Sequence, residues 1–123
     1  MALVLIAEDE PQNRKLFRDI LNRFGYQTVE AVNGRQAVEM ARAHKPGLIL
    51  MDIQMPVMDG WEAIKAIRED EATREIPALA LTAFAVPGES RELAEAGFND
   101  YVSKPISIKG FLAKVAEFLP PGD

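Results

Sequence analysis

The sequence predicts an α/β fold in which helices cover both faces of a parallel sheet. Three observations predict it. Five short apolar or alternating runs, at residues 3–7, 26–31, 47–51, 78–81 and 100–102, alternate with segments of helical spacing. Residues 3–7 and 48–51 are apolar throughout, as expected of central strands covered on both faces. The chain is 123 residues long, enough for one compact domain and too short for two, so residues 1–123 are expected to form a single domain.

Each element has a local reason. Residues 3–7 form the first strand, and Pro11 suits the first helical position, where no N–H is needed. Leu16, Phe17, Ile20, Leu21 and Phe24 then recur as one apolar stripe, and Gly25 suits a C-terminal cap. Residues 26–31 mix polar and apolar side chains, which suits an edge strand. Asn33 with Gln36, and Asp59 with Glu62, have capping-box spacing and open the second and third helices. Trp61, Ile64 and Ile67 are placed to face the sheet, and a short fourth helix over 89–96 stops at Gly97. Ser107 caps the last helix, where Ile108, Phe111, Leu112, Val115, Phe118 and Leu119 recur at helical spacing. Pro120-Pro121-Gly122-Asp123 reads as a frayed end. Strands alternating with helices require right-handed crossovers. Of the doubly wound orders, the flavodoxin-like 2-1-3-4-5 fits five strands, giving (βα)5.

Composition narrows the function classes. Fourteen Lys and Arg against 19 Asp and Glu leave a net charge of −5, without the basic surface of a nucleic-acid binder. The absence of Cys excludes disulfides, thiolate metal sites and cysteine nucleophiles. A single His, His44, excludes multi-His metal sites and is read as a cationic cap after the second helix. The longest near-apolar run, 78–86, is far short of the roughly 20 residues of a membrane span. No basic leader or cleavage-like segment follows Met1, so a cytoplasmic location is expected.

Chemistry in an open parallel sheet collects past the carboxyl ends of its strands. Here the first run leads into Glu8-Asp9-Glu10, the third into Asp52, the fourth into Thr82, and the fifth into Ser103-Lys104-Pro105. Four of these ends are neighbours in the 2-1-3-4-5 order. They would gather several carboxylates, a hydroxyl and an ammonium into one crevice. Clustered carboxylates are pushed toward protonation unless a cation joins them. Oxygen ligands with an open, wet side suit Mg²⁺. A carboxylate beside a divalent cation, a Lys and a hydroxyl can act as a nucleophile toward a phosphoryl group. Other residues have simpler readings: Glu10 is solvated or caps the first helix, Asp59 caps the third, and Trp61 packs in the core. Asp9 taken alone could also serve as a helix cap.

These residues resemble the receiver domain of two-component response regulators over essentially the whole chain. The strongest block is Met51-Asp52-Ile53-Gln54-Met55-Pro56-Val57-Met58-Asp59-Gly60, similar to the family's phosphoacceptor loop. Glu8-Asp9, Thr82-Ala83 and Lys104-Pro105 match in order, each at a strand end. The resemblance implies that Asp52 takes a phosphoryl group from a phosphohistidine on a sensor histidine kinase or phosphotransfer protein. It implies Mg²⁺ on Asp9, Asp52 and the backbone carbonyl of Gln54, with Glu8 acting through a metal-bound water. The family often has Asp where this chain has Glu8. Lys104, Thr82 and Ala83 are expected at the phosphoryl group, Tyr101 as an aromatic switch, and the Lys104-Pro105 bond as cis.

On this reading phosphorylation adds ~1.5–2 negative charges at Asp52 and draws in Thr82. Tyr101 then enters the space released. The surface of the fourth helix, fifth strand and fifth helix changes, including apolar Phe84, Ala85, Val86 and Ile106. Gln54 and Phe84 flank the path of the attacking water and tune the acyl phosphate's lifetime. The chain ends after its fifth helix, so output is expected in trans, from a monomer or a phosphorylation-dependent dimer. It could equally serve as a phosphorelay intermediate or phosphate sink. An aspartyl-phosphate hydrolase would carry a second Asp where Gln54 stands. An electron carrier would need a phosphate-binding loop where Glu8-Asp9-Glu10 stands. An adaptor that is never phosphorylated would not need the acidic pair, Asp52, Thr82 and Lys104 together.

Overall fold

The computed structural model describes residues 2–83 and 89–122. Strands β1 (Leu3–Ala7), β2 (Gln27–Ala31), β3 (Leu48–Asp52), β4 (Ala78–Thr82) and β5 (Asp100–Ser103) alternate with helices α1 (Pro11–Arg23), α2 (Gly34–His44), α3 (Gly60–Glu69), α4 (Glu89–Ala96) and α5 (Ile108–Phe118). All strand pairs are parallel, in the order β2-β1-β3-β4-β5, the flavodoxin-like arrangement the sequence predicts.

The two-residue period of each strand divides the core into two layers. Leu5, Ala7, Ile49 and Met51 face α2, α3 and α4, where they meet Ala37, Ala41, Ile64, Ile67 and Leu93. Val4, Ile6, Leu48 and Leu50 face α1 and α5, where they meet Phe17, Leu21, Phe111 and Val115. Every residue of β1 from Val4 to Ala7 and of β3 from Leu48 to Met51 is fully buried, which explains their unbroken apolar character. Each large side chain so buried contributes about 1.5–3 kcal/mol. Phe17 and Phe111 stack at 5.4 Å between ring centroids and join α1 to α5 across this layer.

The caps follow the sequence signals. Asn33, Asp59 and Ser107 each accept a hydrogen bond from a backbone N–H of the first turn, at 2.8, 2.9 and 3.3 Å. The α1 cap is Glu10, whose Oε1 accepts from Gln12 N at 2.9 Å, which leaves Asp9 outside the helix.

The structure corrects several expectations. Only Phe17, Ile20 and Leu21 of the α1 stripe are buried; Leu16 is 43% exposed and Phe24 47%. Phe24 has left helical geometry as the C-cap, so it no longer follows the stripe, and the Arg23 guanidinium lies over its ring at 5.9 Å. Tyr26 precedes β2, and its hydroxyl donates to the Leu119 carbonyl at 2.8 Å. His44 lies inside the last turn of α2, and Lys45 supplies the left-handed cap at φ 45°. Ile108 opens α5 and is 53% exposed. Pro121 packs back toward Gly25, where an added Cβ would sit 3.4 Å from the Pro121 Cβ.

Candidate functional site

Register brings the polar strand ends together. Ala7 pairs with Met51, so Glu8 follows β1 level with Asp52 on β3. Asp52 pairs with Leu81, and Thr82 pairs with Ser103, so Lys104 emerges one step beyond the last β4–β5 rung. The Lys104 amide also donates to the Thr82 carbonyl at 2.7 Å. Asp52, Thr82 and Ser103 are the final residues of their strands, one residue beyond each apolar run. The hydrogen-bond ladder continues through them although their side chains are polar.

A cleft of about 720 Å³ lies over these ends, lined by Glu8, Asp9, Asp52, Gln54, Thr82, Ala83 and Lys104 among others. Lys104 Nζ lies 2.7 Å from Asp52 Oδ2 and 2.8 Å from Glu8 Oε1. The second oxygen of each carboxylate is also engaged: Asp52 Oδ1 accepts from Gln54 N at 3.0 Å, and Glu8 Oε2 from Glu10 N at 3.2 Å. Thr82 is buried at the cleft wall, while Ala83 is exposed beside it. The Lys104–Pro105 peptide bond is cis.

Burial dominates the electrostatics. Glu8 is wholly buried. Its carboxyl is raised from 4.5 to about 7, first by loss of solvent, then by its hydrogen bond with Asp52, with Lys104 opposing. Burial pulls the Lys104 ammonium down, yet hydrogen bonds and charge from Asp52 and Glu8 outweigh it and leave the ammonium raised. Lys104 therefore stays a cation, and Glu8 is the group that yields a proton site.

Glu8, Asp9 and Asp52 each present a carboxylate oxygen, and these atoms lie within 4.8 Å of one another. Three hard oxygen donors around a cleft open to water fit Mg²⁺, which favours carboxylates and retained waters. Exposed Asp9 and largely buried Asp52 could ligate it directly.

The remaining candidates fall elsewhere. Tyr101 does not line this cleft. It packs, half-buried, against the α2–α3–α4 layer and borders a separate groove with Ser103, Pro105 and Lys114. Ile106 turns the other way, packing on the α1–α5 layer and lining a groove with Leu16 and Phe17. It therefore does not share a patch with Tyr101. Phe84, Ala85 and Val86 lie outside the described residues.

Two cleft residues escape a reading from sequence, and a third, Trp61, packs on the core as expected but also reaches the cleft. Trp61 lines the cleft while packing edge-on against Phe98 at 6.4 Å between centroids. Asn13 enters from the first turn of α1, a position its proximity to Glu10 could have suggested. Glu92 comes from α4, and nothing local marks it.

The chain matches the response regulator receiver domain family over residues 4–116. It is 43% identical over 116 residues to the polar-differentiation response regulator DivK of Brucella anthropi, covering 94% of both chains. Its fold superposes on the receiver domain of a sensor histidine kinase from Pseudomonas aeruginosa PAO1 with a TM-score of 0.88 and 34% identity, covering 95% and 96% of the two chains. That structure has a magnesium ion coordinated in its active-site cleft. A third similarity is to the receiver domain of the Saccharomyces cerevisiae response regulator Ssk1, crystallised with the histidine phosphotransfer protein Ypd1 (TM-score 0.86, 30% identity, 95% and 88% coverage). Together with the parallel order β2-β1-β3-β4-β5 and the acidic cleft at its strand ends, these similarities establish that the chain belongs to the response regulator receiver domain family.

Proposed function

We propose that Asp52 is a phosphoacceptor, loaded from a phosphohistidine on a sensor histidine kinase or phosphotransfer protein. The observation that carries this reading is the pairing of Lys104 Nζ with Asp52 Oδ2 at 2.7 Å, in a cleft that also holds the Glu8 and Asp9 carboxylates. The Asp52 carboxylate attacks phosphorus, the P–N bond breaks, and its electron pair remains on the donor imidazole. Lys104 exchanges a carboxylate for the phosphoryl oxygens without leaving its place, so charge is neutralised by a group already aimed. Thr82, with Ala83 leaving space beside it, meets the same oxygens.

Asp9, Asp52 and the Gln54 carbonyl would hold Mg²⁺. Both Glu8 oxygens already have partners in the fold, which supports a role through water. The cation supplies charge neutralisation between the carboxylates and an incoming phosphoryl group. Tyr101, at the edge of the sheet, is the switch that transmits occupancy to the α4–β5–α5 surface and to a protein partner in trans. DivK, named for its part in polar differentiation, and the Ypd1–Ssk1 complex support a signalling role with a phosphotransfer partner.

The test is intact mass after incubation with Mg²⁺ and acetyl phosphate, with Asp52→Asn alongside. One phosphoryl group is expected on the wild type and none on the variant. No addition to the wild type, from acetyl phosphate or a phosphohistidine donor, overturns the reading in favour of a phosphorylation-independent adaptor. Labelling that persists in Asp52→Asn overturns the residue assignment.

A further inference from the structure

We infer that Arg14 is a positioning residue for the metal-binding carboxylates, an inference that rests on the Mg²⁺ reading above. Its guanidinium lies behind the acidic turn rather than in the cleft. Nη1 donates to the Glu8 carbonyl at 2.9 Å and, at the longer distance of 3.4 Å, to the Asp9 carbonyl. Nε donates to Glu30 Oε1 on β2 at 3.2 Å. Glu30 is held in turn by Arg18 Nη1 at 3.1 Å from its Oε2. One planar side chain thus pins the turn after β1 to the neighbouring strand.

The need for this brace follows from the chain's geometry. The Glu8 amide is bonded to the Ala31 carbonyl at 3.0 Å, the last link from this turn to β2. Beyond it the backbone leaves the sheet. Among the described residues, no side chain bonds the Asp9 carboxylate, so its place is decided by its main chain. Arg14 grips that main chain at the carbonyls of both acidic residues. Its side chain is 20% exposed, so these bonds are partly shielded from water. A Lys at this position carries one ammonium and lacks the rigid fork that reaches carbonyl and carboxylate together.

Charge and position predict opposite signs, which makes the inference testable. Arg14 is a cation behind an anionic cluster. Its charge alone would weaken Mg²⁺ binding, and removing it would tighten binding. A brace predicts the reverse. The measurement is an Mg²⁺ titration at constant ionic strength, read by fluorescence of Trp61, the chain's single Trp and part of the cleft wall. Wild type, Arg14→Ala, Arg14→Lys and Glu30→Gln are compared, with Mg²⁺-dependent shifts in thermal midpoint as a second readout and midpoints in EDTA as the fold control.

Arg14→Ala and Arg14→Lys are both expected to weaken Mg²⁺ by about tenfold or more, the usual loss when a ligand's support is removed. Glu30→Gln is expected to weaken it less, because the Arg14 bonds to the carbonyls survive. Unchanged or tighter binding by Arg14→Ala overturns the inference, as does full wild-type affinity in Arg14→Lys. Should Arg14→Ala not fold, Arg14→Lys and Glu30→Gln decide the matter. A wild type with no saturable Mg²⁺ response overturns the metal reading itself. Phosphoryl addition to that wild type would still leave the Asp52 assignment standing.

Discussion

Lys104 Nζ sits 2.7 Å from Asp52 Oδ2, joining the end of one edge strand to the middle of the sheet across 52 residues of sequence. The same ammonium holds Glu8 at 2.8 Å, so one cation offsets two largely buried carboxylates. Removing it should therefore cost stability as well as chemistry.

Lys104→Met is expected to lower the unfolding free energy by about 3 kcal/mol at pH 8 in EDTA, the cost of leaving buried charge unpaired. The loss should shrink below pH 6, where Glu8 takes up a proton. Urea unfolding at the two pH values checks this, and an equal loss at both would refute the assigned pairing.

Glu8 makes stability depend on pH in a known direction. Its carboxyl stands at about 7 in the folded chain against 4.5 ordinarily, raised chiefly by burial. The folded state therefore binds the proton more tightly than the unfolded state. The stabilisation is complete below pH 4.5 and is lost as pH rises toward 7. Relative to Glu8→Gln, the wild type should lose on the order of 2–3 kcal/mol across that window in EDTA. Parallel stability profiles for the two proteins would count against the raised carboxyl.

Glycines packed against backbone should differ from one with open space beside it. A Cβ at Gly60 would lie 2.6 Å from the Asp52 carbonyl oxygen, and one at Gly34 would meet the Met58 carbonyl that Gly34 N–H bonds at 2.9 Å. Gly60→Ala and Gly34→Ala should each destabilise by about 2–3 kcal/mol and displace the loop that follows β3. At Gly110 the nearest atoms lie 3.7 Å away, so Gly110→Ala should stabilise α5 by about 0.5–1 kcal/mol. Thermal melts of the three variants test the contrast.

Val57 holds its backbone at a positive φ of 69° and is 75% exposed. It lies in a three-residue turn closed by Met58 N donating to the Pro56 carbonyl at 2.7 Å. A β-branched residue is strained there. Val57→Gly should stabilise the protein by about 1 kcal/mol, since glycine has no Cβ to strain at this positive φ. A lower thermal midpoint for the variant would show that the strain is absent.

Much of the fold is legible along the chain because its causes are local. Unbroken apolar runs mark β1 and β3 because these strands are covered on both faces. Asn33, Asp59 and Ser107 mark helix starts because a cap bonds an amide only two or three residues away. The strand ends are less legible. Asp52, Thr82 and Ser103 break the apolar pattern, yet they remain in the sheet because ladder bonds use the backbone alone. Glu10 and Asp9 compete for the α1 cap on equal terms in sequence. Only the observed bond from Gln12 N to Glu10 assigns it and leaves Asp9 to face the cleft.

By itself the sequence determined the alternation of five strands with five helices, the polar residues at the strand ends and the family they resemble. Those follow from periodicity and from which residue types stand where. Tertiary structure alone decided that Lys104 takes both Glu8 and Asp52, that burial raises the Glu8 carboxyl, and that Tyr101 and Ile106 face opposite layers. It also decided that Arg14 supports the acidic turn from behind. Hydrogen-bond partners and solvent exclusion depend on distances between segments far apart in the chain, and these exist only once the strands have packed in register.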